Sequence, residues 1–151
     1  MQERSLESLI DLFEHQRLPQ SEWTHRAHLR VALYYLRRLE PDMALELIRE
    51  LIQQLNLVHQ VLTTPERGYH ETRTRVWLAI LLHGIESGKT DEMLLSEYSG
   101  VDIVTDYYGR ELLESWEARI GWREPDKAAL PIDPGPWCEI TPELITLQEV
   151  Q

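Results

Sequence analysis

The sequence predicts an all-α protein: a compact, single-domain antiparallel bundle of five to seven helices over residues 1–130, followed by a proline-rich, irregular C-terminal tail over 131–151. Three observations carry this reading. Apolar residues recur at spacings of three and four, the period of a helix face. The runs are separated by Pro, Gly and hydroxyl-residue signals that stop one helix and start the next. The β-branched stretch 101–108 is the one segment that reads partly as a strand, and it has no partner to pair with, so it is taken as a helix-linking segment. At 151 residues and 42% apolar composition, the chain can bury about 70% of its unfolded surface without a metal or disulfide.

The elements follow in order. Leu6, Leu9, Ile10 and Phe13 mark a short first helix, ended by Leu18-Pro19-Gln20-Ser21. A second begins near Ser21–Thr24, where either hydroxyl can cap it, and runs to about Arg38. Pro41 suits the first position of a third helix, which carries Leu45, Ile48, Leu51, Ile52, Leu55 and Val58. After the loop Thr63–Gly68, a fourth is expected from about Tyr69 to Glu86, stopped by Ser87-Gly88. Thr90 caps a fifth, with Asp91 and Glu92 on its first turn. Arg110–Ile120 reads as one sixth helix. Beyond Gly121 five prolines preclude a long helix, and Trp122 and Trp137 are expected to anchor the tail.

Charge limits function. The chain holds 26 acidic and 15 basic residues, net −11, and the excess lies in the C-terminal half. A nucleic-acid binder carries a basic footprint, and an anionic membrane surface attracts one, so neither partner is expected. The polar N-terminus and the lack of a long apolar run point to a cytoplasmic protein. One cysteine, Cys138, excludes an internal disulfide or a multi-cysteine metal site. Gly84–Thr90 has the look of a phosphate loop, but it is one residue short and follows a helix, so it reads as a C-cap followed by an N-cap.

The residues that can carry chemistry are histidines. With His25 at zero on a wheel of about 100° per residue, Leu29, Ala32 and Leu36 fall within about 40° of it. His28 lies about 60° to one side, so both rings sit on the apolar face. His70 heads a stripe with Thr74, Trp77 and Leu81 on the fourth helix. Antiparallel neighbours put the starts of the second and fourth helices at one end of the bundle, with His15 and His59 pointing there too. Helix N-termini and burial both favour neutral imidazole, the form that ligates metal or accepts a proton. His25, His28 and His70 are therefore expected as ligands of a divalent metal (zinc, iron, nickel or manganese), with Glu71 or Glu22 as ligand or general base. Tyr69, Arg73 and Thr74 would orient a small-molecule substrate for hydrolytic or non-haem metal chemistry, and Tyr108 beside Arg110 either lines the pocket or packs. Two other readings stay open. One is a metal-free binding module in which the histidines and Arg73 hold a polar ligand. The other is an interaction protein whose histidines serve the core. A homodimer is possible if the tail tryptophans cover a neighbour.

Trp23-Thr24-His25-Arg26-Ala27-His28-Leu29, Gly68-Tyr69-His70-Glu71-Thr72, and Ala118-Arg119 followed by Trp122 and Glu124-Pro125-Asp126 resemble the motifs of a family of uncharacterised bacterial proteins, over roughly residues 10–130. The resemblance implies no activity. It implies that the histidine segments and the 119–126 segment belong together, with Arg119, Trp122 and Asp126 closing one side of the pocket.

Overall fold

The computed structural model describes residues 3–137. It holds seven α-helices and no β-strand among the described residues. They are α1 (Leu6–Glu14), α2 (His25–Leu36), α3 (Pro41–Val58), α4 (Glu71–Glu86), α5 (Asp91–Tyr98), α6 (Arg110–Leu113) and α7 (Trp116–Ile120), with single 3-10 turns at Gln20–Glu22 and Ile103–Asp106. No described helix is long and apolar enough to cross a membrane.

The caps explain the boundaries. Ser5, Thr24, Thr90 and Ser115 each accept a backbone N–H three residues on, which satisfies one of the orphan donors of a helix start. Of the two caps expected for the second helix, Thr24 takes the role, and Ser21 lies in the preceding 3-10 turn. Pro41 opens α3 as expected. At Gly84–Thr90, Lys89 N–H donates to the Gly84 carbonyl and Gly88 N–H to Ile85, with Gly88 at φ 86°; this is a left-handed C-cap running into the Thr90 N-cap.

Two boundaries differ from expectation. The helix expected over Arg110–Ile120 is two, because Ser115 turns its hydroxyl to the Leu112 carbonyl and accepts from Ala118 N–H, ending α6 and restarting the chain as α7. The fourth helix starts at Glu71 rather than Tyr69, and the residue that caps it is His70.

α1 to α5 pack around one core, in which Phe13, Leu45, Leu55 and Leu81 are fully inaccessible. Each such side chain stabilises the fold by about 1.5–3 kcal/mol relative to exposure. A smaller cluster of Val76, Ile80, Val104, Tyr108 and Leu113 seats the 3-10 turn and α6 against the far face of α4. α4 is thus buried on two sides. Trp122 packs on the second cluster and Trp137 on the main core, as the tail reading expected. Residues 138–151, including Cys138, lie outside the described residues.

One buried polar network ties α3, α4 and the tail together. Glu71, wholly inaccessible, accepts from Arg49 Nε (2.9 Å) and Nη2 (2.6 Å), from Arg75 Nε (2.7 Å) and from the Tyr69 hydroxyl (2.8 Å). Arg75 Nη1 donates in turn to the carbonyls of Pro134, Gly135 and Trp137.

Candidate functional site

A cleft of about 500 Å³ opens between α2, α3 and α4 beside the loop that leads into α4. Its lining is apolar in depth, with Leu29, Ile48 and Leu78 almost fully buried. Trp23 and Trp77 stand beside it as half-buried aromatic walls. Its polar groups include four imidazoles. His25, His28 and His70 all line it, and so does His59 at the end of α3.

Each of these four rings gives one N–H to a main-chain carbonyl. His28 Nδ1 donates to the Thr24 carbonyl (2.7 Å), His25 Nε2 to Tyr98 (3.1 Å), His59 Nε2 to Leu18 (2.8 Å) and His70 Nε2 to Leu113 (2.8 Å). These bonds fix which nitrogen carries the proton and leave the other as the acceptor. The rings also fasten separate parts of the chain: His25 ties α2 to the end of α5, and His70 ties α4 to α6.

The four differ in what remains. His70 spends its second nitrogen as well, since Nδ1 accepts the Arg73 N–H (3.1 Å) to cap α4. His28 stacks on Trp23, ring centroids 3.6 Å apart, and Trp23 stacks on Phe13 at 5.0 Å. Its Nε2 has no hydrogen-bond partner among the described residues, yet it is not sealed from solvent. The His28 pKa falls to about 4 through burial, which outweighs the opposing bond to Thr24, with the neighbouring His25 adding a smaller part. That of His70 also falls to about 4, through burial, with Arg119 and Arg73 adding to it against the bond to Leu113. Both rings are neutral at pH 7. His25 contacts Trp77 edge-on, centroids 4.9 Å apart, but stays exposed at the rim rather than inward as its wheel position suggested.

Several expected roles are corrected. His70 has no lone pair to offer a metal, because an N-cap uses it. Glu71 is no general base at the cleft: burial raises its pKa, but the bonds from Arg49, Arg75 and Tyr69 prevail and hold it below the usual carboxylate range. Glu22 pairs with Arg4 (2.7 Å) and does not line the cleft. Among the described residues no three His, Cys, Asp or Glu side chains gather as a group able to hold a metal ion. His25, His28 and His70 thus form no such group in the structure. Tyr108 is core: its ring is buried in the second cluster and its hydroxyl donates to the Arg123 carbonyl.

Tyr69, Arg73 and Thr74 do line the cleft, though the Tyr69 hydroxyl is turned to Glu71 and Thr74 Oγ1 donates to the His70 carbonyl (2.8 Å). Arg119 stands behind the loop, with Nη1 donating to the carbonyls of Gly68 (3.0 Å) and Tyr69 (3.3 Å). The Gly68–Thr72 segment and Arg119 thus meet, whereas the resemblance implied that both histidine segments join the whole 119–126 segment. Trp122 and Asp126 lie elsewhere, on Tyr108 and on the Gly109 N–H. Sequence reasoning did not assign Gln20, Asn56 or Arg67 to the cleft, and gave His59 only a supporting place there. The signal for all but Arg67 was position, since Gln20 and the end of α3 adjoin the starts of α2 and α4.

The loop that carries Tyr69 and His70 depends on Gly68. It sits at φ 99°, and a Cβ there would come 2.7 Å from Thr63 Cα and 2.9 Å from the Leu62 carbonyl oxygen, both main chain. Gly68→Ala is expected to destabilise by about 2–3 kcal/mol, from the left-handed backbone and the overlap together. Urea midpoints measure it, and a loss under about 0.5 kcal/mol would contradict the loop geometry.

No family model matches the chain, and no curated protein and no solved structure is significantly similar to it.

Proposed function

We propose that this chain is a small-molecule-binding module whose ligand enters the cleft between α2, α3 and α4 and meets the neutral imidazole of His28 without a metal. The observation that supports it most is His28. Its ring is clamped by the Trp23 stack and the Thr24 carbonyl, and its Nε2 lone pair is left without a partner beside a cleft of about 500 Å³. An apolar pocket of that size with a few fixed polar groups is the usual form of a ligand site. A half-buried acceptor with no protein partner gains most from a ligand donor.

A fragment library screened by two-dimensional NMR of the amide and imidazole groups tests the reading. Saturable shifts should fall on the lining of the cleft and on the indoles of Trp23 and Trp77. His28→Phe keeps a ring on Trp23 but removes the acceptor, and should weaken fragments that carry a donor by about ten-fold, the value of one hydrogen bond of about 1–1.5 kcal/mol, with an unchanged circular-dichroism spectrum. Shifts that avoid the cleft would overturn the reading. So would near-stoichiometric metal in untagged protein that is lost in His25→Ala and His28→Ala.

A further inference from the structure

The cleft differs in charge from the rest of the molecule. Of 151 residues, 26 are Asp or Glu, so about three of the twenty that line the cleft would carry a carboxylate if the lining were an average sample. None does. The charged side chains on the lining are Arg67 and Arg73.

Neither arginine is fully spent. Arg67 is exposed and has no side-chain hydrogen bond or ion pair among the described residues. Arg73 meets Asp102 through Nη1 alone, at 3.0 Å to both carboxylate oxygens, which leaves Nε and Nη2 without a partner among the described residues. A third guanidinium stands behind the loop. Arg119 is bound only to main-chain carbonyls, makes no ion pair among the described residues, and its Nε is buried without any hydrogen-bond partner. Burial lowers the Arg119 pKa, with the field of Arg73 adding to it and that of Glu66 opposing it. Walls of low polarizability concentrate such a field in a cleft.

Resting on the reading of the cleft as a ligand site, we infer that the ligand is a small organic anion: an acidic head, carboxylate or phosphate, on an apolar body. The head lies against Arg67 and Arg73 at the rim, within the field of Arg119. The body lies between Trp23 and Trp77 over Leu29, Ile48 and Leu78. A donor group on the same molecule, where present, reaches Nε2 of His28. The overall charge of −11 repels such a ligand from the remaining surface, so the cleft is where it collects.

Three probes of one shape test this: hydrocinnamate, its alcohol and the corresponding phenylpropylamine, titrated into the whole chain with Trp fluorescence and amide shifts as readouts. Hydrocinnamate should bind at least about ten-fold more tightly than the alcohol, as a charge-assisted contact requires, and the amine most weakly. The preference should shrink as salt is raised. Arg67→Gln removes a side chain that makes no described contact, so it should leave the fold intact and reduce the preference about three-fold or more; Arg73→Gln should reduce it further. Equal affinity of acid and alcohol, or an acid preference unchanged in Arg67→Gln and Arg73→Gln, would overturn the anion assignment while leaving the cleft a ligand site. Saturable binding of none of the three at the cleft would overturn both.

Discussion

Glu71→Gln is expected to lower the unfolding free energy by about 3–5 kcal/mol, the largest effect of any single exchange considered for this chain. Two guanidiniums converge on this carboxylate, Arg49 through two nitrogens and Arg75 through one, where Glu71 is wholly inaccessible and both arginines are under a tenth exposed. Glutamine has the size of glutamate but no charge, and its amide offers a donor where Arg49 or Arg75 needs an acceptor. The attraction that offsets the desolvation of two cations is lost, and the cations remain. A substantial part of the 5–15 kcal/mol that stabilises an ordinary domain would go with it. Because Arg75 also holds the carbonyls of Pro134, Gly135 and Trp137, the same exchange should free the 134–137 segment, seen as faster proteolysis there. Urea denaturation gives the magnitude. A Glu71→Gln protein within about 1 kcal/mol of the parent would show that the network contributes little.

The second large effect is with pH. His28 and His70 have folded pKa values of about 4, depressed mainly by burial, against 6.5 for an unfolded histidine. Below 6.5 the unfolded chain takes up protons that the folded chain refuses, so acid favours unfolding. The histidine contribution is fully present above 6.5, declines as pH falls from 6.5 towards 4, and is lost below the folded value. At about 1.4 kcal/mol per pKa unit, each ring accounts for at most about 3.5 kcal/mol across that window. Glu71, held below its ordinary value, acts in the same direction but in more acid solution. Unfolding midpoints from pH 8 to 4 should therefore drop most steeply between about 6.5 and 4. A double variant, His28→Phe with His70→Asn, separates the histidines from the carboxylates. Asparagine can still cap α4, and neither new side chain titrates. That variant should have a flatter profile over the same window. A slope equal to the parent's would mean that these rings are not buried neutral.

Much of the helical layout was legible because caps and stops are local. Thr24, Pro41, Gly88 and Thr90 act within a few residues of themselves, and the structure uses each as its chemistry suggests. The misses came where a side chain had two local uses. Ser115 reads as a tolerable helix residue until its hydroxyl is seen at the Leu112 carbonyl. His70 reads as the first residue of an apolar stripe, and a wheel has no place for a ring that folds back to accept the Arg73 N–H. The convergence of the histidines at one cleft followed from antiparallel topology. What each ring does there did not, because the carbonyls of Tyr98, Leu18 and Leu113 are distant in sequence. Glu71 shows the same limit in part: Arg75 lies one turn on along α4 and was legible from its spacing, but only the packing of α3 on α4 reveals Arg49.

The most direct test of the account is the protonation state of the His28 ring. Long-range proton–nitrogen NMR of the imidazoles in uniformly labelled protein at pH 7 distinguishes the tautomers. The predicted spectrum shows His28 neutral with the proton on Nδ1 and a bare Nε2, the nitrogen that should move when a cleft-binding fragment carrying a hydrogen-bond donor is added. His70 should also be neutral, with its proton on Nε2. A His28 ring that is protonated near pH 6.5, or that carries its proton on Nε2, would contradict the geometry on which the cleft's chemistry depends.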